Sequence, residues 1–386
     1  MRIYLDNNAT TPIHPAVLET LDRTLRSSWG NASSIHEEGQ RARRELEQAR
    51  ESVAALIHCE PRELVFTSGG TESNNAAIHG SVVASFPSQA GYNIVTSAIE
   101  HPSVLEPLRD LEARGCSVTR VAPGRDGAIS ARAMIDAICP DTRLVCLMLA
   151  NNETGVLQPV AEVAAACRER GIHMHCDAVQ GGGKVEVDVR RLDCDTLSLS
   201  GHKMHGPKGI GALFVRPGTT LHPHLAGGAQ ERRRRAGTEN VPQAVAFGVA
   251  SAIAWQETSV WSEIALLRDR LETELRLLIP GLVIHGEGTT RLPNTSNLRF
   301  PGVDAEGLVI ALDLQGVAVS TGSACSSGRV EPSHVLLQMG LSEEDAKSSV
   351  RISLSRFTAA AEIDRLIELL GELVPKTRRD AAIRAS

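Results

Sequence analysis

The chain has 386 residues, 42% of them hydrophobic and 22% charged, with a formal net charge of −6. That composition is ordinary for a soluble globular protein, and the length suffices for about two to four domains. The acidic balance argues against nucleic acid as the main partner, and no apolar run approaches the roughly 20 residues that span a bilayer.

The opening "MRIYLDNNATTP" carries no signal-peptide pattern, so a cytoplasmic location with no membrane partner is expected. Helical spacing follows in "HPAVLETLDRTLRSS" and "RARRELEQARESVAALI". Then "ELVFTS", "YNIVTS", "RLVCLML", "GIHMHCD", "DTLSLS" and "GIGALFV" read as strands, several apolar enough to be buried on both faces. Strands interleaved with helices predict an α/β domain with a largely parallel sheet, running to about Ala254. Beyond it, the amphipathic "SEIALLRDRLETELRLL" and the strand-like "LVIHGEG", "TSNLRF", "VAVSTGS" and "VRISLSRF" suit a smaller α+β domain. The terminal "PKTRRDAAIRAS" is expected to fray.

Several strand ends carry residues suited to chemistry. In "VFTSGGTESNN" a strand passes through Gly69 and Gly70 into a helix starting near Thr71, whose free N–H groups suit a phosphate. An ordinary capped turn is the competing reading. His101, in "AIEHPSV", follows another strand, before a proline that suits a helix start. It suits ring stacking or proton transfer, although a lone histidine is more often structural. Asp177 closes the strand "HMHCDAVQ" where α/β sheets bind ligands, and competes with an N-cap reading. In "SLSGHKMHGPKG" the strand-end Lys203 suits Schiff-base chemistry with a carbonyl cofactor, and a solvent-facing lysine is the alternative. Of eight cysteines none forms a C-x-x-C pair, so no metal site is expected. Seven read as small buried hydrophobes. Cys325 differs, because "STGSACSSG" surrounds it with small polar residues. The four arginines of "ERRRRAGTEN", Arg232 to Arg235, read as a solvated basic face, and no direct nucleic-acid contact is expected.

Ten stretches now stand in a telling order: "YLDNNATTP", "GNASSIHEEG", "TSGGTESNN", "EHPSV", "NNETGVLQP", "HCDAVQ", "SLSGHKMHGPKGIGAL", "ERRRRAGTENVP", "STGSACSSG" and "VRISLSRFT". Together they resemble the NifS/IscS-type (group I) cysteine desulfurases, fold-type I pyridoxal 5′-phosphate (PLP) enzymes of the class V aminotransferase group. The resemblance runs from Tyr4 to about Thr358. It implies a large domain (16–255) with a mostly parallel seven-stranded sheet flanked by helices. A small α+β C-terminal domain (256–386) would carry the cysteine loop, with residues 1–15 packed on it. It implies that L-cysteine becomes L-alanine while sulfur passes to Cys325 as a persulfide and then to an acceptor or iron–sulfur scaffold protein. Selenocysteine lyase, or another class V PLP enzyme, is the alternative.

Roles follow by resemblance. Lys203 would hold PLP and act as the base on the substrate Cα. Asp177 would pair with the pyridine nitrogen, Gln180 would bond the phenolic oxygen, and His101 would stack on the ring and move protons. Gly70, Thr71, Ser200 and His202 would cradle the phosphate, with Asn152 also at the cofactor. Thr238 would reach the phosphate of the other subunit of a homodimer. Asn152 and Arg351 would hold the substrate carboxylate, and Cys325 would be the nucleophile. An unperturbed thiol is mostly protonated at neutral pH, so His101 is expected to assist its deprotonation.

Overall fold

The computed structural model describes residues 2–85, 91–321 and 331–385. Its strands, in chain order, are β1 (Ile3–Tyr4), β2 (Leu64–Thr67), β3 (Asn93–Ser97), β4 (Ser117–Val121), β5 (Thr142–Cys146), β6 (His173–Asp177), β7 (Thr196–Ser200), β8 (Gly211–Val215), β9 (Val283–His285), β10 (Thr295–Arg299), β11 (Val317–Ala318) and β12 (Ser349–Ser353). The first four helices are α1 (Pro15–Ser27), α2 (Glu37–Leu56), α3 (Gly70–Ser85) and α4 (Pro102–Ala113).

Seven strands form one sheet in the order β2-β8-β7-β6-β5-β3-β4. All run parallel except β8, which pairs antiparallel with β2 and β7. Side chains alternate faces along a strand. Ile94, Leu144 and Cys146 therefore join Ile78 of α3 and Leu108 of α4 in one core. Their neighbours Val95 and Val145 join the larger core on the opposite face, with Leu46 and Val53 of α2. Helices thus cover both faces, which is why the inner strands read as nearly continuous apolar runs. The helix Val241–Gln256 lies directly on α2: a Cβ at Gly248 would stand 2.7 Å from the Ala49 Cα, so glycine permits this approach.

A second core gathers Trp261, Leu271, Leu298, Phe300, Leu308, Ile352 and Leu370, together with Ile3 and Leu5 from the N-terminus. It is built on the antiparallel sheet β12-β10-β9 and the parallel pair β1-β11. The C-terminal segment expected to fray is helical as far as Ala385. A helix runs Ala360–Ala385 through Pro375. Ile363, Leu366 and Leu370 pin it to the second core, and the Arg378 guanidinium donates to the Pro301 and Pro280 carbonyls.

Two other expectations need correction. Cys139 is exposed, not buried, because it lies in the turn before β5, where Thr142 Oγ1 donates to its sulfur. The arginine run is not a freely solvated face. Arg232 pairs with Glu47 and Arg235 with Glu72, and Glu231 beside them is buried against Arg50.

Candidate active site

Five parallel strands end on one side of the sheet, and each delivers a functional side chain there. β2 leads through Gly69 into α3, β3 into His101, and β5 into the loop of Asn152; β6 ends in Asp177, and β7 passes through Ser200 to Lys203. A cavity of about 280 Å³ opens between them. Gly70, Thr71, His101, Asn152, Asp177, Gln180, Ser200, His202 and Lys203 all line it.

Local structure explains the placement. His101 caps α4, its Nδ1 accepting the Ser103 N–H at 3.1 Å, with Pro102 in the first turn. Asn151 Oδ1 accepts the N–H groups of Glu153 and Thr154, which folds a tight turn and carries Asn152 to the cavity wall. At the α3 N-terminus a Cβ on Gly70 would lie 2.6 Å from Val179 Cγ2. An alanine there needs Val179 to move, although the backbone N–H groups of the cradle would remain.

The charge pattern is uneven. Lys203 Nζ donates to the carbonyls of Asn8 at 2.6 Å and Ala9 at 2.7 Å. Burial, with the Arg351 guanidinium adding to it, pulls its pKa down to about 8, so near neutrality a usable fraction is the nucleophilic free amine. Burial and the neighbouring Lys203 lower His202 to about 4. It is therefore neutral at the cavity, and its Nδ1 lies 3.1 Å from Thr10 Oγ1. The His101 ring is exposed at the mouth, yet crowding by protein atoms outweighs the attraction of Asp177 and holds its pKa below the usual value. The Asp177 carboxylate is held by Asn74 Nδ2 at 2.7 Å and the Val179 N–H at 3.0 Å.

Arg351 is buried beside the cavity on β12, donating to the Asn152 carbonyl at 3.1 Å and pairing with Asp6 at 2.7 Å. Its Nε is buried with no hydrogen-bond partner among the described residues. Thr238 does not line this cavity. It is exposed in a neighbouring recess with Thr67, Ser68 and Glu239. Cys325 lies outside the described residues, but the chain enters its segment from Ser320, whose backbone pairs with that of Arg351.

Gln180 is more constrained than its sequence position suggests. Its Nε2 donates to the Asn8 carbonyl at 2.8 Å and its Oε1 accepts from the buried Lys184 at 2.9 Å. Sequence reasoning missed Asn8, which receives both Lys203 and Gln180 through its carbonyl and reaches Thr295 and Asn152 through its amide. The available signal was the pair Asn7-Asn8 inside the stretch "YLDNNATTP". Burial of both, at 1% exposure, shows that they are structural hubs.

The sequence profile of the family described as Aminotransferase class-V matches residues 3–366. The chain is 44% identical over 378 residues to a cysteine desulfurase of Trichormus azollae, covering 97% of this chain and 94% of that one. It is 43% identical over 377 residues to the cysteine desulfurase IscS of Methanosarcina thermophila, covering 97% and 93%. A solved NifS-like protein superimposes with a TM-score of 0.90 at 35% identity, covering 97% of this chain and all of that one.

Proposed function

The chain belongs to the aminotransferase class-V family and has the L-cysteine desulfurase activity of its relatives, and on that premise we propose that the Lys203 cavity is where L-cysteine is opened and Cys325 is where its sulfur lands. One observation carries the reading: a low-pKa lysine, a fixed carboxylate, an imidazole and a helix N-terminus share one cavity at the ends of parallel strands.

Enzymes of this family use PLP, and the residues here fit it. Lys203 is the amine for its aldehyde. Asp177 is an acceptor for a protonated ring nitrogen. The glycine-lined start of α3, with Thr71, Ser200 and neutral His202, is a set of donors for a phosphate. Gln180 keeps one amide hydrogen for an oxygen ligand, because only the other is taken by Asn8. When bound, PLP withdraws electrons from the substrate Cα and so weakens its C–H bond and the bond from carbon to sulfur.

The chain's own groups do the rest. Lys203 takes the Cα proton, for which an amine with a pKa near 8 is well matched. Arg351, whose Nε has no partner among the described residues and which holds the Asn152 loop, receives the substrate carboxylate. His101, at the cavity mouth, is the imidazole that meets the substrate. The Cys325 thiolate attacks the substrate sulfur. A sulfur–sulfur bond forms, the carbon–sulfur bond breaks, and its electron pair stays on carbon, which takes up a proton to become the methyl of alanine, while Lys203 returns the proton it took to Cα. The persulfide then passes its outer sulfur to an acceptor protein. Thr238, exposed and away from its own cavity, serves the phosphate site of a second copy in a homodimer.

The test is product analysis with L-cysteine and a reductant. Wild type should release alanine and sulfide in equal amounts. Cys325→Ser should bind L-cysteine, seen as a change in visible absorbance, and release no sulfide. Full sulfide release by Cys325→Ser would remove Cys325 from the route. Lys203→Ala should lose covalent cofactor and turnover together.

A further inference from the structure

Beneath the cavity runs a buried chain of hydrogen bonds that the chemistry above does not use. Asn74, on α3 and 0% exposed, places Nδ2 2.7 Å from Asp177 Oδ2 and 2.8 Å from Ser103 Oγ. Its Oδ1 lies 3.0 Å from His175 Nε2. An ionised carboxylate only accepts, so the end facing Asp177 is the NH₂ group, and both of its hydrogens are then used. On one side, His175 must bring a proton on Nε2, and its Nδ1 accepts from Thr196 Oγ1 at 2.9 Å. On the other, Ser103 Oγ accepts from Asn74 and is left with its own proton to give. His101 Nδ1 lies 2.7 Å from that oxygen, and it also receives the Ser103 backbone N–H. Two donors aimed at one ring nitrogen leave no place for a proton on it, so neutral His101 carries its proton on Nε2.

We propose that Asn74 is a positioning residue that orients Asp177 directly and, through Ser103, holds His101 as its Nε2–H tautomer, so that neutral His101 meets the substrate as a hydrogen-bond donor and not as a base. The inference rests on the cavity being the reaction centre. It revises the expectation that His101 takes the Cys325 proton. To accept at Nε2, the ring would first have to move its own proton to Nδ1 and surrender the helix-cap bond. Imidazolium meets the same obstacle at Nδ1, and burial and the charge of Lys203 disfavour it while Asp177 opposes them. Asn74 thus couples the carboxylate and the imidazole through one amide.

Two-bond proton–nitrogen correlation spectra of ¹⁵N-histidine-labelled, PLP-loaded enzyme read the tautomer directly, with His101 assigned by its disappearance in His101→Gln. Wild type should show a single Nε2–H pattern. Ser103→Ala and Asn74→Leu should each lower the tautomer ratio by about fivefold, the worth of one net hydrogen bond, and Ser103→Thr should restore it. Asn74→Leu should also move the pH midpoint of the bound cofactor's visible absorbance, which a packing defect alone would leave in place. A wild-type Nδ1–H pattern overturns the proposal even if Asn74→Leu fails to fold, and an unchanged ratio in Ser103→Ala overturns it as well. Turnover is measured on the same sample. Normal alanine production with the wrong tautomer removes this inference and leaves the desulfurase reading intact. The right tautomer without turnover does the reverse.

Discussion

Glu153 shows how much one side chain can couple. It follows Asn152 in the turn that reaches the cavity, and it is 3% exposed. Its Oε2 accepts from Ser333 Oγ, and Ser333 caps the helix His334–Gln338 where the described chain resumes after the Cys325 segment. Burial pushes the Glu153 pKa up to about 7, against the smaller opposing pulls of Ser333 and Arg351. The folded state therefore holds a proton that the unfolded chain releases near 4.5. Between these values folding takes up a proton, so this group's contribution is fully present below about pH 4.5 and is lost as pH rises toward 7. Its size is on the order of 3 kcal/mol. Glu153→Gln keeps the shape and an acceptor for Ser333 and cannot ionise. Its melting temperature should fall less than that of wild type between pH 5 and pH 8, and parallel profiles would show that Glu153 is not the titrating group.

At the scale of elements, the arginine run is an anchor and not a docking face. Glu231 accepts from both terminal nitrogens of Arg50, at 2.8 Å each, and from the Phe66 N–H on the edge strand β2. Arg50 in turn lies over the Phe66 ring at 4.7 Å. This ties α2, β2 and the loop of Glu231 together and sustains left-handed backbone at three successive non-glycine residues, Glu231, Arg232 and Arg233. Removing one partner of a buried pair leaves the other uncompensated, so Arg50→Met should lower unfolding stability by about 3–5 kcal/mol. The double variant with Glu231→Gln, which keeps an acceptor for Phe66, should recover part of that loss in urea denaturation; a double-variant loss equal to the sum of the two single losses would mean that the pair is not coupled. Local sequence could not reveal this, because Arg50 and Glu231 are far apart in the chain and four arginines in a row carry no periodicity. The same limit hid β4, whose "SVTRV" is largely exposed, and the two-residue β1, which pairs only with β11. Strand ends fared better. A buried strand is an apolar run wherever it sits, and its last polar residue marks the sheet edge, so Asp177, Ser200 and Lys203 were legible from pattern alone. Their joint assignment to PLP came from resemblance, and the hydrogen-bonded frame of Asn8, Asn74 and Ser103 from neither.

For the whole molecule, the position of Thr238 is the informative one. The Lys203 cavity gathers residues from five strand ends, yet Thr238, expected at a phosphate, stands exposed in a separate recess. The proposed role of Thr238 at the phosphate of a second copy requires such a position outside its own cavity. Mixed subunits separate the two arrangements. A Lys203→Ala chain has no working cavity but an intact Thr238. A Thr238→Ala chain has a working Lys203 but lacks the hydroxyl. If Thr238 acts across a homodimer, co-expressed and purified heterodimers contain one complete site, with the lysine of one copy and the threonine of the other. They should bind PLP at that site with wild-type affinity and turn over L-cysteine at about half the wild-type rate per dimer, whereas homodimeric Thr238→Ala should show weaker PLP retention on dialysis. If Thr238 acts within its own chain, the heterodimer's one lysine-bearing site lacks the hydroxyl and retains PLP no better than homodimeric Thr238→Ala. A monomer in sedimentation at working concentration would remove the shared site altogether.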